Sequence, residues 1–467
     1  MPDPILPAAH PQPTALAPAG APASDAARLP RHLKPADHPE RRALSDEIHA
    51  RPTARIRHPA LVTHIAVLNA GIAPEVEHAH LRALFDALGA PCHFDEPHFM
   101  RANTEAFTLK WERHGEFSRY SITQPLDQDA VWGADEPDLT SLVRAPADWL
   151  RAIPGQTMAA IHVVLLRADP AMSPEEEVEH ARAFLGTPRL CGSWLRGGSS
   201  RARAYANFKI RADGFTRFLV MGERLQEGKA GRITAGLLEM ETYRVMALLG
   251  FAPARRLGGR LAAGEHELAE LTQSIHRPER DDVGLLEELM RLAGDNEMIL
   301  ADHTTRFSAS KAYYGIVQQR LTDLFDEPVT HLMGIGPFVQ RRLMPAMATV
   351  DATVQRMNQL SERVSRTSAL LRTRVEIQTE LQNQDLLRSI GRGQRMQLHL
   401  QQTVEGLSIA AITYYASSLV HHLAEAAHGM GLHVSPELVT GFSIPVIAAA
   451  IWWTTRRLTG HVEHAGD

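Results

Sequence analysis

The chain has 467 residues, which is enough for two or more domains with ample core, and its formal net charge is −5. This modest charge gives no electrostatic basis for binding nucleic acid, so no nucleic-acid partner is expected. The two cysteines, Cys92 and Cys191, lie in different segments, which excludes a disulfide scaffold and a cysteine-based zinc cluster.

The first 37 residues are rich in Ala and Pro. They lack the basic start and the uninterrupted apolar run of a secretory signal. Their composition predicts a disordered tail, because it cannot bury enough apolar surface to order itself. Most of the chain is therefore expected in the cytoplasm.

Residues 38–225 alternate between strand and helix patterns and predict an α+β cytoplasmic domain. Glu75–Leu88 has the apolar spacing of a helix, and Ala212-Asp213-Gly214 is typical of a tight turn between two strands. The predicted strands are Leu61–Leu68, Phe107–Arg113, Phe117–Thr123, Met158–Arg167, Leu190–Arg196, Ala204–Arg211 and Phe215–Met221.

One cluster in this domain suggests chemistry. Glu47, His49 and Arg51 stand close together in the stretch DEIHARP and could form an acid–base site. They could equally end a capped helix with its own salt bridges, and this second interpretation is favoured. The histidines of the domain follow no recognised ligand spacing, so the sequence assigns no metal site and predicts no cofactor.

Residues 226–402 lose the strand signals and predict a helical, coiled-coil stalk. Its longest helix begins at Val339 and carries apolar residues at steps of three and four. The seam could pack against the predicted helix Leu285–Phe325 or against copies of the same chain. It consists of Leu343, Met347, Val350, Val354, Met357, Val364, Leu371 and Val375.

Residues 403–457 contain two apolar runs, Gly406–Ala427 and Leu438–Thr455, which predict a two-helix transmembrane hairpin. Arginines flank both runs and the loop His428–Val439 has no Lys or Arg. This asymmetry predicts a multi-pass inner-membrane protein with both termini, including the tail 458–467, in the cytoplasm. A soluble helical hairpin with a buried seam is the alternative.

Four blocks of the sequence resemble a bacterial family of membrane-anchored proteins, domain of unknown function 3422. The blocks are HPERRALSDEIHARP, RFSASKAYY, LLRTRVEIQTELQNQDLL and LQQTVEGLSIAAITYY, and the resemblance runs from about His38 to about Arg457. It implies a membrane location and no established activity.

The order of a cytoplasmic α/β domain, a long helix and two terminal membrane helices is also similar to the CorA magnesium transporter family. That family joins its membrane helices by a Gly-Met-Asn loop, and this chain has Gly429-Met430-Gly431 followed by Pro436-Glu437-Leu438. Gly431 stands in place of the Asn and offers no side-chain carbonyl to a cation.

One face of the first predicted membrane helix is polar. The hypothesis is that this face lines an aqueous path, because polar side chains at bilayer depth usually face a bundle interior or water. The alternative is that these residues hold helices together or lie in the headgroup region. They are Ser408, Tyr415, Ser418, His422 and Glu425.

The expected function is that of a homo-oligomeric inner-membrane protein with a CorA-like build, acting as a divalent-cation conduit or a degenerate relative of one. Its expected partners are the lipid bilayer and copies of itself. A membrane-tethered scaffold without transport is the first alternative. A tethered enzyme that uses Glu47, His49 and Arg51 is the second, although catalysis is not expected.

Overall fold

The computed structural model describes residues 35, 37–42, 44–45, 54–94, 96–197, 202–277, 281–430 and 435–462. The chain divides into two compact units. The sheet unit comprises residues 1–239 and 324–335, and the helical unit comprises residues 240–323 and 336–467. The predicted disordered tail lies almost entirely outside the described residues.

The sheet unit is built on one mixed nine-stranded sheet in the order β2-β3-β4-β1-β5-β8-β7-β6-β9. Strands β5 and β8 run parallel, and the other neighbours are antiparallel. The strands are β1 (Ala60–Leu68), β2 (Phe99–Asn103), β3 (Thr108–Arg113), β4 (Phe117–Pro125), β5 (Gln156–Arg167), β6 (Cys191–Leu195), β7 (Ala202–Ala206), β8 (Thr216–Gly222) and β9 (Phe325–Pro328).

Three helices pack against one face of this sheet, called the apolar face below. They are α1 (Pro74–Leu88), α2 (Ala147–Arg151) and α3 (Pro174–Leu185). Alternate strand residues point to the same face, so Ile65 and Val67 of β1 share one core cluster with helix residues. A second cluster joins β5 and β8 to α3. The first turns of α4 (Glu227–Leu248) lie over the opposite face.

The helical unit contains the end of α4, then α5 (Phe251–Ser274), α6 (Asp282–Leu324), α7 (Ile335–Gly429) and α8 (Pro436–Val462). The predicted apolar seam lies on α7 and packs within the chain. Met347, Val350, Met357, Val364 and Leu371 are each 1% exposed.

Contacts between the helices fix this packing. The Asn296 side chain on α6 donates to the backbone carbonyl of Met357, and Arg356 on α7 forms a two-pronged ion pair with Glu265 on α5. Beyond Leu371 the burial stops, and α7 exposes apolar side chains such as Ile377 and Leu381. The seam residues are therefore buried within a single chain, and the seam alone does not indicate a coiled coil between copies.

The predicted fold class, an α+β domain followed by a stalk and a two-helix transmembrane hairpin, is wrong in two respects. The sheet belongs to an α/β fold with a parallel pair. Strand β9 also returns to it from residues 325–328, inside the segment assigned to the stalk. Four residues between two long helices are too short to show a strand alternation, which is why the sequence pattern missed β9.

The second error concerns the C-terminal segment. Residues 335–429 form one continuous helix of 95 residues. Within the described part of the chain, a single helix, at Pro436–Thr455, is long and apolar enough to cross a membrane. The first predicted span falls short because polar side chains dilute it: Thr413, Ser417, Ser418, His421, His422 and Glu425. A CorA-like pair of membrane helices is therefore not supported.

Candidate functional site

A cavity of about 610 Å³ lies on the apolar face of the sheet unit. Its walls come from β1, β5, the turn before β8 and the segment 140–155, so chain regions far apart in sequence form it together. Most of the lining is apolar, with hydroxyl groups, one carboxylate and the exposed guanidinium of Arg151 among it. The side chains that define its character are Thr63, Ile65, Thr140, Leu150, Ala160 and Phe215.

A buried histidine stands directly behind the cavity wall. Nδ1 of His162 lies 3.1 Å from the Thr63 hydroxyl oxygen, and its ring stacks on Phe215 with the centroids 4.0 Å apart. Its Nε2 atom is buried and has no hydrogen-bond partner in the structure. Burial lowers the pKa of His162 to about 4, so the imidazole is neutral at pH 7 and is too weak a base for proton abstraction there.

The carboxylate of the cavity is Asp213. It accepts hydrogen bonds from the Arg217 guanidinium at 2.9 Å, the Phe215 backbone N–H at 2.9 Å and the Thr140 hydroxyl at 3.3 Å. Burial raises the pKa of Asp213, but the hydrogen bonds and the nearby Arg217 outweigh it, so the pKa is lowered overall. The group is anionic at neutral pH.

Two glycines shape the mouth of the cavity. Gly155 has φ +116°, and a Cβ there would lie 2.4 Å from the carbonyl oxygen of Leu68. Gly214, at φ +84°, completes the turn before β8 and confirms the predicted turn at Ala212-Asp213-Gly214. Both positions favour glycine because other residues rarely adopt positive φ.

The cavity has the size and lining of a small-molecule site. Such sites typically measure about 300–1,000 Å³ and combine apolar walls with a few placed polar groups. Threonine hydroxyls can exchange hydrogen bonds with a ligand, and Asp213 can accept them or attract a cationic group. The arrangement is suited to binding.

The cytoplasmic site predicted from the sequence falls on another part of the chain. Glu47, His49 and Arg51 lie outside the described residues. In the described part of the chain, no group of three or more His, Cys, Asp and Glu side chains could hold a metal ion.

The residues of the predicted pore face lie near the end of α7. Ser408 and Tyr415 are exposed and Ser418 is half-buried, while Nδ1 of His422 lies 3.7 Å from an Oε atom of Glu425. Gly429 ends α7 and Met430 follows it, and Gly431 lies outside the described residues.

A different face of α7 contacts α8. Nδ1 of His421 lies 2.9 Å from the Thr440 hydroxyl oxygen, and Ser417 and Ala424 are buried. A path lined by several copies is not tested by one chain, so the pore assignment stays a prediction.

Thr63, His162 and Asp213 were missed by the sequence reasoning. The available signal was His162 itself, a polar residue within the apolar run of the predicted strand Met158–Arg167. A histidine at such a position needs a buried partner. The sequence does not show that the partner is Thr63, because the two residues lie on different strands.

The family comparison confirms the first resemblance. A family model described as protein of unknown function (DUF3422) matches residues 36–462. No curated protein and no solved structure matches the chain.

Proposed function

We propose that the chain, which belongs to the DUF3422 family of proteins of unknown function, is a membrane-tethered protein whose sheet unit binds a small, mainly apolar molecule. The cavity of about 610 Å³ beside Thr63, Asp213 and Phe215 carries the binding part of this proposal. Its volume and mixed lining fit a small ligand with a hydroxyl or amino group.

The tether is α8. None of its apolar stretch Pro436–Thr455 is buried inside the chain, and Trp452 and Trp453 are 51% and 56% exposed. Apolar surface in water costs about 25 cal/mol per Å², so an exposed helix of this composition favours lipid. Tryptophans near one end are typical of a membrane interface. The bacterial inner membrane is the location proposed.

Membrane flotation of the full chain tests the tether. Replacing Ile444 and Val446 on α8 by Asp should move the protein from the floating to the soluble fraction, because charges at bilayer depth are costly. Met298→Asp is the matched control, since Met298 is 61% exposed on α6. A double variant that floats as completely as the wild type would contradict the proposal.

Binding of simple amphiphiles tests the cavity. Hexylamine should bind better than hexanoate because the Asp213 carboxylate belongs to the lining, while the lining cation Arg151 is 76% exposed to solvent. Ala160→Leu should weaken binding by filling the space. Ala171→Leu, in an exposed loop, is the control. Equal hexylamine binding by both variants, measured by ligand-observed NMR, would remove the cavity as the site.

The divalent-cation conduit, the homo-oligomer, the scaffold and the enzyme using Glu47, His49 and Arg51 remain predictions. The conduit depended on two membrane helices, and a single candidate span weakens its basis. Liposomes that contain the protein should take up divalent cations no faster than empty liposomes if α8 is only a tether. Faster uptake that is lost with His422→Ala and Glu425→Ala would favour the conduit instead.

A further inference from the structure

A second cavity, of about 60 Å³, lies on the opposite face of the same sheet. Its floor is formed by β1–β4 and its cover by the first turns of α4. The strand register brings Arg101, Lys110, Ser121 and His64 side by side, because each is paired with the next across four neighbouring strands. Directly paired residues project to the same side of a sheet.

The charges of the described residues that line this cavity do not cancel. Glu112 is buried and bonds Lys110 at 3.0 Å and Arg119 at 2.9 Å, while Arg119 also lies 3.8 Å from Glu239. The Arg101 side chain makes no ion pair or hydrogen bond with any described residue. Among the described lining residues, three cations therefore face two carboxylates, an excess of one positive charge.

The ionisation states support this count. Burial raises the pKa of Glu112, but Arg119 and Lys110 outweigh that effect and lower it, so Glu112 is anionic. Burial and Arg119 together lower the pKa of His64 to about 3, so its ring is neutral and adds no charge. Its Nδ1 atom lies 2.8 Å from the Ser121 hydroxyl oxygen.

Arg119 lines the same space and has an unused donor. The Arg119 side chain is 7% exposed, and its Nε atom is buried with no hydrogen-bond partner. A buried donor without a partner costs free energy, and an acceptor at this position would remove the cost. Lys110 is 21% exposed, so the cavity is reachable from solvent.

We propose that this cavity is a binding site for a small oxyanion, with Arg101 and Lys110 as the main contacts and Arg119 as a buried donor. An anion of one negative charge would balance the excess cation. Phosphate and carboxylate share the geometry that arginine recognises, and either could be free or the end group of a larger molecule. This site is independent of the apolar cavity proposed above.

The experiment is a calorimetric titration of the full detergent-solubilised chain, once with inorganic phosphate and once with acetate. Chloride at equal ionic strength serves as the reference, because it has no oxygen acceptors. Saturable binding of phosphate alone would identify a phosphate-type ligand, and binding of acetate alone a carboxylate.

Arg101→Gln should weaken that binding by about tenfold or more, since it removes a charge-assisted contact without breaking an existing ion pair. Arg151→Gln is the matched control, because Arg151 is 76% exposed and does not line this cavity. Circular dichroism of both variants checks that they fold.

Two results would overturn the site. One is that neither anion shows saturable binding up to about 50 mM. A dissociation constant above that value corresponds to a smaller binding free energy than a single productive contact would give. The other is that the Arg101 and Arg151 variants bind equally well. In both cases the cluster would be only an internal ion-pair network of the sheet.

Discussion

The two cavities of the sheet bury polar residues in different ways. Beside the apolar cavity, Thr63 and His162 pair one to one, and the buried carboxylate of Glu177 lies elsewhere on that face, with Arg203 and Tyr205. On the face of α4, Glu112 holds Lys110 and Arg119 together in a charged network. The comparison teaches that one sheet can carry a roomy apolar cavity and a compact charged one, because alternate residues of the same strand, such as Thr63 and His64 of β1, project to opposite faces.

The largest expected effect comes from breaking the charged face. Glu112→Gln should lower the free energy of unfolding by about 3–5 kcal/mol, because it removes the nearer of two carboxylates from the buried Arg119. Urea unfolding followed by tryptophan fluorescence measures the change. Glu179→Gln, at a 69% exposed position, should change stability by less than about 0.5 kcal/mol. Similar losses for both variants would show that Glu112 is not needed to offset the buried cations.

The next effect concerns the apolar face. Gly155→Ala should cost about 2–3 kcal/mol, since it combines a positive φ with a Cβ placed 2.4 Å from the Leu68 carbonyl oxygen. The melting temperature should fall accordingly. Gly115→Ala is the control, because no atom lies within 4 Å of its added Cβ and its φ is not in the positive region. Equal melting temperatures for the two variants would mean that the mouth of the cavity adjusts freely.

Acidification should lower the free energy of unfolding through one buried histidine on each face of the sheet. The folded-state pKa values of His64 and His162 are lowered to about 3 and about 4, so the unfolded chain binds protons first as pH falls below 6.5. Stability should therefore drop by about 2 kcal/mol per histidine between pH 7 and pH 5.

Substituting each histidine separates the two contributions. His64→Gln and His162→Gln should each flatten the pH dependence of the urea midpoint. His266→Gln should leave it unchanged, because that side chain is 77% exposed. A wild-type midpoint that stays constant from pH 7 to pH 5 would show that neither histidine is buried in its neutral form.

The smallest effect tests one helix on the apolar face. Ser173 caps α3, since its side chain accepts from the Glu176 backbone N–H while the Glu176 carboxylate accepts from the Ser173 N–H. Ser173→Ala should cost about 1 kcal/mol. Ser308→Ala, at an exposed site inside α6, should be neutral or slightly stabilising. A loss no larger than that of Ser308→Ala would show that α3 does not depend on its cap.

Much of the local structure was predictable from the sequence. The predicted Leu61–Leu68 and Phe215–Met221 match β1 and β8 within one residue, and Glu75–Leu88 matches α1. Strong alternation or helical spacing reports these elements directly. Strand β2 was missed, and β7 was placed too late, because short segments give few positions on which to judge a period.

The sites were not predictable in the same way. Thr63, Ala160 and Phe215 meet only through strand pairing, and Arg101 reaches Lys110 only through the β2–β3 register. No local motif encodes such meetings. The apolar residues of the first run suggest a membrane helix, but the hydroxyl, imidazole and carboxylate groups among them lower its affinity for lipid.

The placement of β9 has a consequence for how the protein is made. Phe325–Pro328 completes the edge of the sheet beside β6, yet it leaves the ribosome only after α4, α5 and α6 have been synthesised. Until then, β6 has unpaired backbone groups on one side, and an open strand edge can pair with other chains. A nascent chain stalled before residue 325 should therefore associate with other chains more readily than one released after residue 335.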